Sequence, residues 1–403
     1  MWSSPYLCLR YYVGYRFRSR CGMRCVRCWA KYRFLVYPVS CLILMTATAY
    51  AVYTMTGEYR QLVSFSLVTD KQTLPPITPT HSMVLVVAYM RSGSSFLGDI
   101  LQQDDSSFYV YEPLKDANDR IENNQSIALY NGTNRYVHTP EEKISFFVES
   151  LYNWFTCNFK DLDIGTLTSS YLLHYSKKTR NYMGCLTRHH NKMDGVEYCL
   201  QYLQSTCIPA KLRVIKSIRI NMDTVHLLQQ RLPFLKVIHV VRDPRGIMNS
   251  RVKVKLSNWI NLSSEVNNLC RRMTKNIEMS TLDREENVKQ IVYELLAEHP
   301  IALSEDLYNF AGLEFSPTVS KRVYKMTHYS PHARDCDWCT KKSNSSMTSL
   351  MWRTEIELEH AEVIDSQCVD LYNMIGYLPV QSLQQLRNHS VPLHLKILPP
   401  GLL

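Results

Sequence analysis

No aspartate or glutamate occurs before Glu58, and this absence governs how the charge is read. The 403-residue chain holds 46 Lys and Arg against 36 Asp and Glu, a formal net charge of +10. Eight of those cations (Arg10, Arg16, Arg18, Arg20, Arg24, Arg27, Lys31 and Arg33) stand in the acid-free lead; without them, 38 basic residues face 36 acidic ones. The basicity is a local tail, so no nucleic acid is expected as a partner. The sequence also lacks an internal repeat, a second apolar run long enough to span a bilayer, and any Gly-x4-Gly-Lys-Ser/Thr string. Repeat architectures, multispan proteins and the common nucleotide-triphosphate loop of kinases and ATPases are therefore set aside. Cys336-Asp-Trp-Cys339 is a CxxC pair with no second Cys or His pair to complete it, which is weak for zinc; no metal is expected.

The basic lead runs into Phe34 to Met55, 22 residues with no charge. About 20 apolar residues cross a bilayer core, and an excess of Arg before the span keeps the N-terminus cytosolic. A cleaved signal peptide is the alternative, but the lead is long and no small-x-small site comes after the run. The expected layout is a cytoplasmic basic tail at 1–33, a transmembrane signal anchor at 34–55, a stem at 56–80, a luminal domain at 81–380 and a C-terminal tail at 381–403. The stem contains Thr-Leu-Pro-Pro-Ile-Thr-Pro-Thr, which holds neither helix nor central strand. Eight of the 13 cysteines (Cys157, Cys185, Cys199, Cys207, Cys270, Cys336, Cys339 and Cys368) fall on the luminal side, an even number that suits disulfides of unread pairing. Five glycosylation sequons, at Asn124, Asn131, Asn261, Asn344 and Asn388, lie there as well.

Within the domain, Met83 to Tyr89 and Lys236 to Val241 are continuous apolar runs, as buried parallel strands read; Leu212 to Lys216 is a weaker one. Helical stretches at Pro140 to Phe159 and Met222 to Arg231 fall between them. The alternation predicts an α/β fold, a single domain with a central, mainly parallel sheet flanked by helices. The polar, Asn-rich region 115–140 reads as a loop.

Two strand ends carry the chemistry. After the first run come Arg91, Ser92, Gly93, Ser94, Ser95, Phe96 and Leu97, then a helical segment. A strand, a tight Gly/Ser turn and a helix start make an anion cradle of unpaired N–H groups, with Arg91 as a fixed charge. After the run ending at Val241 come Arg242, Asp243, Pro244, Arg245, Gly246, Ile247, Met248, Asn249 and Ser250, where an arginine and a later hydroxyl suit a second phosphate.

Together these segments resemble the PAPS (3′-phosphoadenosine 5′-phosphosulfate) signatures of sulfotransferases, the first as a 5′-phosphosulfate loop and the second as a 3′-phosphate motif. Tyr109-Val-Tyr-Glu-Pro-Leu114, Val214-Ile-Lys-Ser-Ile-Arg219, Tyr293-Glu294, Leu307-Tyr-Asn-Phe-Ala-Gly312, Trp352-Arg353, Cys368 and Gly376-Tyr377 extend the likeness over residues 82 to 378. It is greatest to the Golgi carbohydrate 6-O-sulfotransferases. One departure is Val292-Tyr-Glu-Leu-Leu296, where the family carries Arg-Tyr-Glu-Asp-Leu.

The resemblance implies a Golgi type II membrane enzyme that moves a sulfuryl group from PAPS to a sugar hydroxyl, the 6-hydroxyl of GlcNAc, Gal or GalNAc. The acceptor would sit on a glycoprotein or proteoglycan glycan, and a homodimer is left open. It assigns Glu112 as base, Arg91 to charge stabilisation and Lys216 to the sulfonate or acceptor. His189 and His190 are the imidazole alternative for the base. Trp154, Trp259 and Trp352 are aromatic candidates for sugar stacking with no assignment. A non-catalytic Golgi glycan-binding protein, or a tyrosylprotein or heparan sulfotransferase, are the competing readings.

Overall fold

Strand β1 (Ser82–Val87) forms the middle of a five-stranded parallel sheet in the structure, a computed structural model that describes residues 81–190, 193–282, 287–329 and 336–395. Five of its six residues are buried and none is charged, as a strand covered on both faces demands. Each fully buried Val or Leu there stabilises the fold by roughly 1.5–3 kcal/mol. β2 (Ser107–Tyr111), β5 (Leu212–Ser217), β6 (Leu235–Val241) and β7 (Val288–Val292) complete the order β2-β5-β1-β6-β7, and a separate ribbon pairs β3 (Ile127–Ala128) with β4 (Asn134–Arg135). The expected α/β architecture is present. Val87 lies opposite Ser217 of β5 and His239 of β6, so the carboxyl ends of the central strands finish near one level.

Val84, Val86 and Ala88 enter a core shared with Leu97 and Ile100 of the helix Ser94–Leu101, Leu307 of Pro300–Ala311 and Val323 of Pro317–Thr327. A second core surrounds the long helix Leu262–Leu282, whose Val266 and Met273 meet Ile247, Trp352, Ile364 and Leu371. β5 reads weakly because Arg213 and Lys216 interrupt its apolar residues, yet both are buried. The Arg213 guanidinium is satisfied by the carbonyls of Phe155, Cys207 and Ile208.

Three expectations are corrected. The region 115–140 is not all loop: Lys115–Glu122 is a helix, braced by i,i+4 pairs from Lys115 to Asp119 and from Arg120 to Asp116. Residues from 381 to 395 are not a free tail, because Leu386 and Leu393 belong to the second core. The buried Arg353 guanidinium donates to the carbonyls of Gln385, Leu386, Asn388 and Val391, which ties this segment down. The helix expected to reach Phe159 stops at Phe155; Cys157 turns left-handed (φ 58°) and bonds Cys207.

All eight cysteines of the expected luminal part are paired, as Cys157–Cys207, Cys185–Cys199, Cys270–Cys368 and Cys336–Cys339. The basic tail, the apolar run 34–55 and the stem lie outside the described residues. Among the described residues no helix is long and apolar enough to cross a membrane.

Candidate active site

Parallel strands ending at one level send all their connecting loops to one edge of the sheet, where open α/β folds bind ligands. The edge here opens into a cavity of about 580 Å³ walled by Arg91, Ser94 and Ser95 after β1, Tyr111 of β2, Lys216 of β5, Arg242 after β6 and Tyr293 after β7. Five separate stretches of sequence meet there because the order β2-β5-β1-β6-β7 makes their strands neighbours.

The first motif turns sharply. Arg91 (φ 73°) and Gly93 (φ 88°) are both left-handed, and the buried Ser92 Oγ accepts the Tyr89 N–H at 3.2 Å, closing the turn. Gly93 is required twice over: its φ is costly for other residues, and an added Cβ would lie 2.0 Å from the Tyr293 ring. The helix Ser94–Leu101 starts there with no side-chain cap, so the first N–H groups face the cavity unpaired.

In the second motif, Asp243 caps the helix Pro244–Lys253 by accepting the Arg245 N–H at 2.9 Å. Arg245 is fully buried; it forks onto Asp243, pairs with Asp365 at 3.2 Å and donates to the Leu378 carbonyl. Arg242 turns the other way, over the Tyr293 ring (4.6 Å), with the buried Glu294 carboxylate 3.8 Å from its Nε. Tyr377 donates to Glu294 at 2.8 Å, and burial above all raises the proton affinity of that carboxyl. The two motifs are joined: Arg91 Nε–H donates to Ser250 Oγ at 2.9 Å, and Arg242 Nη1 to the Arg91 carbonyl at 2.8 Å.

Burial first, and then the neighbouring Arg242 charge, hold the Arg91 guanidinium below its usual range. Two guanidiniums side by side in a partly dry cavity are a place for an anion. Arg242 Nε is buried with no hydrogen-bond partner, its carboxylate neighbour Glu294 standing 3.8 Å away. Arg242, Ser94, Ser95 and Arg91 therefore fit the two anionic ends of a molecule such as PAPS.

Glu112 comes directly after β2 in a left-handed conformation (φ 51°), buried, its two oxygens paired with Lys216 and Arg219. Lys216 also lies 4.6 Å over the Tyr111 ring and reaches the cavity wall. Among the described residues, two of the seven non-glycine residues with positive φ (Arg91 and Tyr175) line the cavity, and a third, Glu112, is buried behind Lys216 rather than in the wall. Such conformations cost on the order of 1 kcal/mol each and persist where surrounding contacts over-determine them.

The Sulfotransferase family profile matches residues 84–317, more than half of the chain and all five strand ends. The chain belongs to the sulfotransferase family. Human carbohydrate sulfotransferase 6 is 23% identical over 355 residues, covering 79% of this chain and 86% of its own. Mouse carbohydrate sulfotransferase 3 is 25% identical over 356 residues, covering 78% and 72%.

Not every motif residue of this sulfotransferase faces the cavity. Leu97, Ile247 and Met248 are core residues, Ser92, Asp243 and Arg245 build the turns, and Pro244 starts its helix; Phe96 is mostly buried but touches the cavity wall. Gly246 packs beneath Arg242, where a Cβ would meet Trp352 at 3.0 Å, and Asn249 donates to Glu355 at 2.6 Å. His189 and His190 end the helix Arg180–Arg188 as exposed residues away from the cavity wall. His189 lies within 4.8 Å of Cys185 and Cys199, a grouping of metal-ligand type, but those two sulfurs are bonded to each other. Trp154 is buried, and Trp259 stacks on His360 at 4.3 Å; Trp352 is buried but borders the cavity. Arg219, Tyr175 and Trp338, absent from the sequence-derived site, are brought to it. The signal for Arg219 was its place two residues beyond Ser217 in the Lys216 segment.

Proposed function

We propose that this sulfotransferase moves a sulfuryl group from PAPS to a sugar hydroxyl, the 6-hydroxyl of GlcNAc, Gal or GalNAc, on a glycoprotein or proteoglycan glycan. The observation that carries the reading is the meeting of Arg91 and Arg242 in the cavity wall, with Arg242 bonded to the Arg91 carbonyl and Arg91 to Ser250. Ser94, Ser95 and Arg91 would hold the 5′ end and Arg242 with Ser250 the 3′-phosphate. PAPS supplies an activated sulfuryl group, whose in-line transfer forms a bond from acceptor oxygen to sulfur and releases PAP. The protein's part is then position and charge. Lys216, in the cavity wall, faces the transferring group. Glu112 takes the hydroxyl proton once Lys216 turns from its oxygen to the sulfonate. The carbohydrate acceptors of the relatives support the sugar, and the disulfides, the basic lead and the apolar run 34–55 support a Golgi luminal domain on a type II membrane anchor.

The test is the detergent-solubilised full chain with [³⁵S]PAPS and a panel of chondroitin, lactosamine chains, terminal N-acetylglucosamine acceptors, heparan and a tyrosine peptide. Label on one glycan, lost in Arg91→Ala and Arg242→Ala, supports the proposal and names the acceptor. Label on heparan or on the peptide moves the protein to those sulfotransferase classes. PAP binding with no transfer to any acceptor would leave the donor site alone standing.

A further inference from the structure

The Cys336-Asp-Trp-Cys339 segment is read from sequence as an incomplete metal motif, and the structure puts it to another use. Its two cysteines are bonded, closing a ring around Asp337 and Trp338 at the mouth of the cavity. The turn is pinned from three sides. The Asp337 carbonyl accepts from Arg91, the Trp338 carbonyl accepts from the Tyr175 hydroxyl, and Asp337 sits 3.6 Å from Lys253. The Arg91 guanidinium lies 4.7 Å over the Trp338 ring. Yet Trp338 keeps 54% of its surface exposed, the only exposed tryptophan among the described residues.

An indole fixed by a covalent turn, one side on a catalytic cation and the rest open to the mouth, is a platform rather than a core residue. Aromatic faces take up flat apolar surface while leaving polar groups at the rim free to reach partners. A pyranose ring offers such a surface in its axial C–H groups, with hydroxyls around its edge. Lying on the open face of Trp338, it would turn one edge into the cavity that Lys216 helps to wall. Tyr175, bonded to the Trp338 carbonyl, packs its ring on Tyr111 at 4.9 Å and so ties the turn to the cavity wall. Resting on the sugar acceptor proposed above, we infer that Trp338, positioned by the Cys336–Cys339 turn and by Tyr175, is the stacking surface for the acceptor sugar and sets which residue of the glycan presents its hydroxyl.

The full chain in detergent is assayed for PAP affinity by calorimetry and for acceptor KM and kcat with the glycan the wild type labels. Trp338→Ala raises acceptor KM about tenfold while PAP affinity stays within about twofold. Trp338→Phe keeps a ring and recovers most of the loss, which general damage to the cavity would not allow. The Cys336→Ser/Cys339→Ser double variant frees the turn and raises acceptor KM in the same direction. An acceptor KM unchanged in Trp338→Ala, with wild type active, overturns the inference and leaves the proposed function standing. An equal loss of PAP affinity in Trp338→Ala also overturns it, since the ring would then serve Arg91 alone. A wild type that labels no sugar overturns both.

Discussion

Arg91 donates its Nε–H to Ser250 Oγ at 2.9 Å, across 159 positions of sequence. Each residue comes from a different strand end, so the bond exists only because β1 and β6 are adjacent and parallel. Ser250 thereby aims the guanidinium, whose Nη2 donates to the Asp337 carbonyl at the cavity mouth. Loss of a hydrogen bond to a charged group costs about 1.5–3 kcal/mol. Ser250→Ala is therefore expected to weaken PAP binding about tenfold or more by calorimetry. Arg91→Ala, at the proposed 5′-phosphosulfate end, should lower kcat/KM by about 10²–10³, and Arg242→Ala, at the proposed 3′-phosphate end, should weaken PAP binding. A Ser250→Ala protein that binds PAP as the wild type does would show the bond to be incidental.

Glu112 and Lys216 are both almost fully buried, and they hold each other's charge with Arg219 as third partner. Removing one member of a buried pair leaves the other uncompensated, a loss of about 3–5 kcal/mol. Glu112→Ala should therefore lower unfolding free energy by several kcal/mol in denaturant titration. Glu112→Ala/Lys216→Met should recover part of that, with Arg219 left as the remaining burden. Activity separates the roles. If Glu112 is the base, Glu112→Gln lowers kcat by about 10²–10⁴ and leaves PAP affinity near wild type; if it only positions Lys216, PAP affinity falls along with kcat.

The sequence shows most where burial is symmetric and least where polar groups are satisfied internally. β1 and β6 are legible as apolar runs because both faces are covered. β7 escapes notice because Lys289 and Gln290 break a short edge strand, and the helix Lys115–Glu122 because its residues are nearly all polar. Its support is two ion pairs and its packing neighbours, which no periodicity reports. The two anion motifs are legible since they adjoin the legible strands. Their junction could not be read: Ser250 on Arg91, Tyr293 under Arg242, and Trp338 brought from far along the chain. Those depend on strand order.

Cys270 and Cys368 close a loop of 98 residues that ties the long helix Leu262–Leu282 to the helix Val369–Ile375. A cross-link over such a length restricts the unfolded chain strongly, with about 2–5 kcal/mol lost on its removal. Both cysteines are buried in the second core, beside the segment that carries Arg245's partner Asp365. Cys270→Ala/Cys368→Ala is expected to lower Tm by several degrees or more in calorimetry. The Cys336→Ser/Cys339→Ser variant, which opens only a tight surface turn, should leave Tm nearly unchanged.

His239 and Asp163 are buried groups whose protons act on stability in opposite senses. His239, between Tyr89 (2.9 Å) and Ser280, is held down at about 3 from its ordinary 6.5, first by desolvation and then by the Arg272 charge. Its neutral form belongs to the fold, so its contribution is complete above 6.5 and drains away as pH falls toward 3. Asp163, whose carboxylate caps the helix Ile164–Thr168, is raised by burial from 3.8 to about 6. Its contribution is complete below 3.8 and is lost as pH rises through 6. Each slope is about 1.4 kcal/mol per pH unit where only one group acts. Between about 4 and 6 the two oppose, and their joint contribution to unfolding free energy should be nearly flat. Asp163→Asn removes one side and should uncover a fall in stability from pH 6 to pH 4. His239→Gln, which can still bond the Tyr89 hydroxyl, should give the reverse slope over the same window. Denaturant titrations at pH 4, 5 and 6 read both, and parallel profiles for wild type and the two variants would rule the opposition out.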